Sequence, residues 1–195
     1  MTNEWVLIAK DAVTKVRETA EEIAALDPRT RIIKTNTGLE LGVAKIVSAL
    51  EQFPECVRYL NTRRSKGAVI DINSEADVQD VVYLMLRPWV IDLVPENPTD
   101  RIASRYSIKD FLSKELSVVV EAKYIRDKRH GHDISKELHD DIEMYRNHPD
   151  CKHLAFFVYD RDAFIPDVAA LKRQIEGTTR NYGDKRLNVF CVVKP

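Results

Sequence analysis

The stretch Val118-Val119-Val120-Glu121-Ala122-Lys123 constrains this chain more than any other. Three β-branched residues in a row read as a strand covered on both faces, because a half-exposed strand would alternate apolar and polar side chains. A strand of that kind needs a sheet with a layer on either side. The same run then takes on two charges. Side chains alternate faces with period 2, so Glu121 and Lys123 point one way while Val120 and Ala122 point the other. Charges at the end of an apolar strand are costly unless they are paired, bound to metal or put to use.

The neighbouring patterns place this strand in a fold. Ile108-Lys109-Asp110-Phe111-Leu112 offers a second short strand that carries Asp110. Strands over about 106–112 and 117–125, joined at Ser113-Lys114-Glu115, form an antiparallel hairpin. Before them, Ser74-Glu75-Ala76-Asp77 has the form of a capping box, opening a helix that Pro88 ends or kinks. Residues 68–72 are a short strand or an extended lead-in, and 89–105 read as irregular. After the hairpin, 126–133 read as a polar, basic loop. A helix capped by Asp133 or Ser135 then runs to about Asn147, with Leu138, Ile142 and Tyr145 on one stripe. Leu154–Tyr159 is a buried strand. Pro166 and Gly177 bracket another helix, and Asn188–Val193 is a last strand. From residue 74 the order is α-β-β-α-β-α-β. It predicts an α/β fold with a central mixed β-sheet flanked by helices.

The N-terminal third reads differently. Trp5, Ile8, Ala9, Ala12, Val13, Val16, Ala20, Ile23 and Ala24 recur at helical spacing, which predicts an amphipathic helix over 3–26, with Pro28 beyond its end. Thr37-Gly38-Leu39-Glu40 is a second capping box, opening a helix to about Phe53, and a third segment runs from Pro54 to about Arg64. With a junction at Lys66-Gly67, the expected domains are 1–66, a helical extension for dimerisation, regulation or partner contact, and 67–195, the α/β domain.

Composition narrows the class. A chain of 195 residues, 44% apolar and 31% charged, has the make-up of a soluble globular protein. No apolar run approaches the roughly 18–20 residues that span a bilayer. Met1-Thr2-Asn3-Glu4-Trp5 lacks the pattern of a signal peptide, so a cytoplasmic protein with no membrane partner is expected. Cys56, Cys151 and Cys191 lie far apart with no C-x-x-C, against a disulfide framework or a zinc ribbon. The net charge of −1 does not mark a nucleic-acid binder, but positive charge is gathered locally. Arg58, Arg63, Arg64 and Lys66 form one cluster, Arg101, Arg105 and Lys109 precede Asp110, and Arg126, Lys128 and Arg129 follow Lys123. Each cluster alone reads as a solvated face. Two of them flank the acids, where a phosphate would need them.

Two carboxylates and a lysine at the ends of adjacent strands suit phosphodiester hydrolysis. Hard divalent cations prefer carboxylate and carbonyl oxygens. A lysine beside them can position water or stabilise developing negative charge. The bland alternative is a Glu121–Lys123 salt bridge at a strand end with Asp110 near a turn. On the residues Asp110, Glu121 and Lys123, the pattern D…E-x-K resembles the PD-(D/E)XK nuclease superfamily, the restriction-endonuclease-like fold. The resemblance covers roughly 70–195. From Glu143 to Asp160 it is similar to nuclease domains of bacterial defence proteins. Lys109 stands where the family's name has proline.

The resemblance implies a Mg²⁺- or Mn²⁺-dependent endonuclease, with DNA favoured over RNA, in bacterial defence or DNA processing. It implies Asp110, Glu121, Lys123, Glu75 and Gln79 as catalytic residues. The metal ligands would be Asp110, Glu121, the backbone carbonyl of Ala122, and Glu75. The nucleic-acid contacts would be Arg105, Lys109, Arg126, Lys128 and Arg129. A homodimer or a partner protein would use the N-terminal helices. The competing reading is a catalytically inactive or partner-gated nucleic-acid-binding module of the same fold. His130-Gly131-His132 reads as a polar loop rather than a ligand set, and Tyr145 as a core residue.

Overall fold

The computed structural model describes residues 38–62, 70–95, 110–146, 148–176, 180–182 and 185–195. The helix expected over 3–26, the junction at Lys66-Gly67, and Arg63, Arg64, Arg101, Arg105 and Lys109 lie outside the described residues. The elements in chain order are α1 (Gly38–Glu51), α2 (Phe53–Thr62), α3 (Glu75–Leu86), β1 (Val94–Pro95), β2 (Phe111–Ser113), β3 (Val118–Tyr124), α4 (Lys128–Tyr145), β4 (His153–Tyr159), α5 (Val168–Glu176), β5 (Arg180–Tyr182) and β6 (Lys185–Lys194).

The six strands form one sheet in the order β1-β2-β3-β4-β6-β5. β1, β2 and β3 pair antiparallel, and the β2–β3 hairpin sets Phe111 opposite Val120. β3, β4 and β6 pair parallel, and β5 returns antiparallel on β6. The sheet is therefore mixed, as the pattern predicts. Its parallel strands are linked by α4 and α5, since parallel neighbours need a crossover. The edge strands β1 and β5 are two and three residues long, and the sequence pattern does not reveal either.

All seven residues of β3 and all seven of β4 are buried, as the Val-Val-Val run requires. On one face, Val119, Leu154, Phe156 and Val158 pack with Ile134, Leu138, Ile142 and Tyr145 of α4 and with Leu171 and Ile175 of α5. On the other, Phe53 of α2 lies 4.5 Å from Phe157 and 5.3 Å from Tyr159, centroid to centroid. The compact unit runs from Lys45 to Pro195. Residues 45–62, which the sequence pattern groups with the N-terminal extension, thus lie in the same unit as the sheet. Cys151 and Cys191 are buried and unbridged, and burial pushes the Cys191 thiol up to about 12.

α3 begins at the predicted cap. Ser74 Oγ accepts from the Asp77 backbone N–H at 3.3 Å, and Asp77 Oδ2 accepts from the Asn73 backbone N–H at 2.9 Å. The helix stops at Leu86, two residues before Pro88.

Of the expected loop over 126–133, residues 128–133 are instead the first turns of α4. Asp127 caps it, accepting from the His130 backbone N–H at 2.8 Å. Histidines and a glycine beside basic residues carry little helical signal, which hides this start in the sequence. The glycine answers to packing rather than to a turn: a Cβ on Gly131 would sit 2.5 Å from the Phe164 carbonyl oxygen.

Candidate active site

Asp110, Glu121 and Lys123 come together at the polar end of β3. Their exposures are 3%, 1% and 2%. Charged side chains are almost never buried to this degree unless something holds them. Asp110 stands just before β2, where the hairpin brings it across to β3. Its Oδ2 accepts from the Ala122 backbone N–H, and its Oδ1 accepts from Gln79 Nε2 of α3 at 2.7 Å. Glu121 Oε1 accepts from Lys123 Nζ at 3.1 Å, and Glu121 Oε2 from the Tyr145 hydroxyl at 2.8 Å. Lys123 Nζ also lies 2.9 Å from Asp141 Oδ2 and 3.9 Å from Glu137 Oε1.

The charges perturb one another. Burial pushes the Asp110 carboxyl up to about 8; the charges of Glu121 and Glu75 push in the same direction, and the Ala122 amide opposes them. Burial also raises Glu121, with Lys123 pulling the other way. Burial alone would lower Lys123, but Glu121 and Asp141 outweigh it and hold the ammonium charged. Strongly perturbed titratable groups gathered in one place are characteristic of functional sites, as well as of buried ion-pair networks.

A cleft of ≈ 440 Å³ opens beside the cluster, lined by Asn73, Ser74, Glu75, Tyr124, Arg126, His130 and Glu137. Glu75 enters it from the first turn of α3, one helical turn before Gln79. Of the candidate phosphate contacts, Arg126 lines the cleft. Lys128 and Arg129 are exposed on the first turn of α4 and are not among the lining residues; Arg129 lies 3.9 Å from Asp133. Arg105 and Lys109 lie outside the described residues.

Three residues of α4 are missing from the sequence reading of the site. Glu137, Asp141 and Tyr145 fall at four-residue spacing on the face turned to β3, and Tyr145 serves the core and Glu121 at once. The acids beside the Leu138–Ile142–Tyr145 stripe are the signal that points to them, and only the packing of α4 on β3 gives it meaning. His130, read as part of a loop, stands in the cleft with its Nε2 3.0 Å from Glu137 Oε2.

The donors present have the chemistry of a hard-cation site: carboxylates, with more negative charge around Asp110 than local cations balance. Among the described residues no group of three or more His, Cys, Asp or Glu side chains is arranged to hold a metal ion. In the present arrangement Asp110 and Glu121 face protein donors, so binding would require them to exchange partners.

A mixed sheet with Asp110 just before one hairpin strand and Glu121-x-Lys123 on the next has the architecture of a restriction-endonuclease-like nuclease of the PD-(D/E)XK class. The family model described as REase_DpnII-MboI matches residues 44–192, well over half of the chain, and the chain belongs to that DpnII–MboI restriction endonuclease family. No curated protein and no solved structure matches the chain at a significant level. Membership makes this a chain of a DNA-cleaving endonuclease family. Among the described residues no helix is long and apolar enough to cross a membrane.

Proposed function

We propose that this protein is a Mg²⁺- or Mn²⁺-dependent endonuclease that hydrolyses DNA phosphodiester bonds, in bacterial defence or DNA processing. Asp110, Glu121 and Lys123 would carry the reaction, with Glu75 and Gln79 in support. The observation that carries this reading is the burial of those three charged side chains at one end of β3, with Lys123 bonded to Glu121 and Asp110 bonded to the Ala122 amide between them.

Asp110, Glu121, Glu75 and the Ala122 carbonyl would hold the cation, which when bound supplies an acidified water and charge stabilisation at phosphorus. The chain's own residues do the rest. Gln79 fixes the rotation of the Asp110 carboxyl through its bond to Oδ1. Lys123 holds positive charge beside the place where negative charge develops, in a buried site that strengthens the interaction. Arg126, at the edge of the cleft, is placed to meet a phosphate oxygen. A buried strand carries Glu121 and Lys123, so their backbone positions are held while the side chains exchange partners.

Cleavage of labelled plasmid, linear single-stranded DNA and RNA with Mn²⁺ or Mg²⁺ tests the reading, with Lys123→Ala and Asp110→Ala as controls. The expected outcome is DNA cleavage by the wild type and a loss of roughly 10³-fold or more in both variants. Equal cleavage by all three proteins, or none by the wild type, would overturn it and leave a nucleic-acid-binding module.

A further inference from the structure

α4 does more than cover the sheet. Glu137, Asp141 and Tyr145 recur at four-residue spacing, so they share one face of the helix. That face meets the polar end of β3. Tyr145 is 1% exposed and its hydroxyl donates to Glu121 Oε2 at 2.8 Å. Asp141 is 2% exposed and its Oδ2 stands 2.9 Å from Lys123 Nζ. Lys123 is thus gripped from two sides, by Glu121 at 3.1 Å and by Asp141 at 2.9 Å.

The charge count is the informative part. One buried ammonium balances one buried carboxylate, and Glu121 already fills that role. A second buried carboxylate adds a desolvation cost that packing does not require. The same helix buries Ile134, Leu138 and Ile142, so an apolar residue at 141 would suit the core. A second acid on Lys123 has a use if Glu121 leaves it. When Glu121 turns to a cation, Lys123 would otherwise be a lone buried charge.

We propose that Asp141 and Tyr145 are positioning residues for the cleavage reaction, an inference that rests on the function proposed above. Asp141 is the standing counter-ion of Lys123, keeping the ammonium in place and charge-balanced while Glu121 exchanges its bond with Lys123 for a bond to the cation. Tyr145 holds the other oxygen of Glu121, so that the exchange occurs at Oε1 without rotation of the carboxylate. Neither side chain touches the substrate.

The test uses the full chain and Mn²⁺ as the probe, with two readouts: calorimetric Mn²⁺ binding, and plasmid cleavage resolved into kcat and KM. The variants are Tyr145→Phe, Asp141→Asn and Asp141→Glu. Tyr145→Phe keeps the buried ring and loses one hydroxyl, so the answer does not depend on whether Asp141→Asn folds. The expected result for Tyr145→Phe and Asp141→Asn is Mn²⁺ binding and kcat each weakened about tenfold or more, with KM for DNA within about twofold. Asp141→Glu, which restores the charge, recovers part of both. Wild-type Mn²⁺ affinity and kcat in Tyr145→Phe and Asp141→Asn, beside an inactive Lys123→Ala, would overturn the positioning role and leave the endonuclease reading intact. A wild type that neither binds Mn²⁺ nor cleaves would overturn both.

Discussion

β3 and β4 are neighbours that run parallel, have seven residues each and are buried from end to end. They differ in what they bury. β4 places Phe156 and Val158 in the ladder opposite Glu121 and Lys123 of β3. The same layer of the same sheet therefore accepts an aromatic and a β-branched residue without difficulty, and nothing in the fold asks for charge there. A buried ion pair typically stabilises no more than well-packed apolar side chains of similar volume. β4 holds the fold together, whereas β3 gives up part of that stability to keep two charges beside Asp110.

The contrast breaks if the two strands respond alike to substitution. Glu121→Gln is expected to lower cleavage roughly 10³-fold, about 4 kcal/mol of transition-state stabilisation, while the melting temperature changes little. Phe156→Ala, at the facing position, is expected to cost about 3–5 kcal/mol of stability in urea unfolding, while its folded fraction still cleaves. If Glu121→Gln melts early, or Phe156→Ala stays stable, the division of labour between the strands is wrong.

Smaller effects sharpen the picture around the two strands. Gly131→Ala forces a methyl group against the Phe164 backbone and is expected to cost about 1–3 kcal/mol by denaturant unfolding. It should lower cleavage too, because the displaced helix carries Asp141 and Tyr145.

Asp110 gives a pH dependence of definite sign. Its folded value of about 8 lies above the ordinary 3.8, so across that window the folded protein holds a proton that the unfolded chain has lost. Without metal, stability should fall as pH rises from about 4 to 8 and level off above it. Asp110→Asn should reduce the slope, leaving the part that the raised Glu121 carboxyl contributes, while abolishing cleavage. Thermal melts across pH settle both points, and saturating Mn²⁺ should flatten the wild-type slope by favouring the ionised carboxylate. At the small end, Arg129→Ala removes a 3.9 Å surface pair and should change stability by less than about 0.5 kcal/mol.

Much of the fold was legible wherever local pattern and burial agree. The hairpin around Ser113-Lys114-Glu115, the cap at Ser74, and the strands ending at Tyr159 and near Val193 follow from periodicity and capping chemistry, and the structure has them. The start of α4 was not legible. Gly131 lowers helical propensity on paper, and the Phe164 backbone that demands it arrives from 33 residues downstream. The edge strands β1 and β5 were hidden for a related reason. Two or three residues are too few for a period to show, and only the neighbouring strand makes them strands.

The site divides along the same line. By itself, the sequence determined that Glu121 and Lys123 share a face, because the period of a strand is fixed by its backbone, and that Glu75 and Gln79 share a face of α3, because a helical turn is fixed likewise. It also placed Asp110 at the hairpin ahead of them, which the structure sets one residue before β2 rather than within it. Tertiary structure alone decided that Asp110 bonds the Ala122 amide, that Gln79 reaches Asp110 from 31 residues away, and that Asp141 and Tyr145 close on Lys123 and Glu121. Those contacts join elements whose relative position is set by the whole core, so no local pattern encodes them.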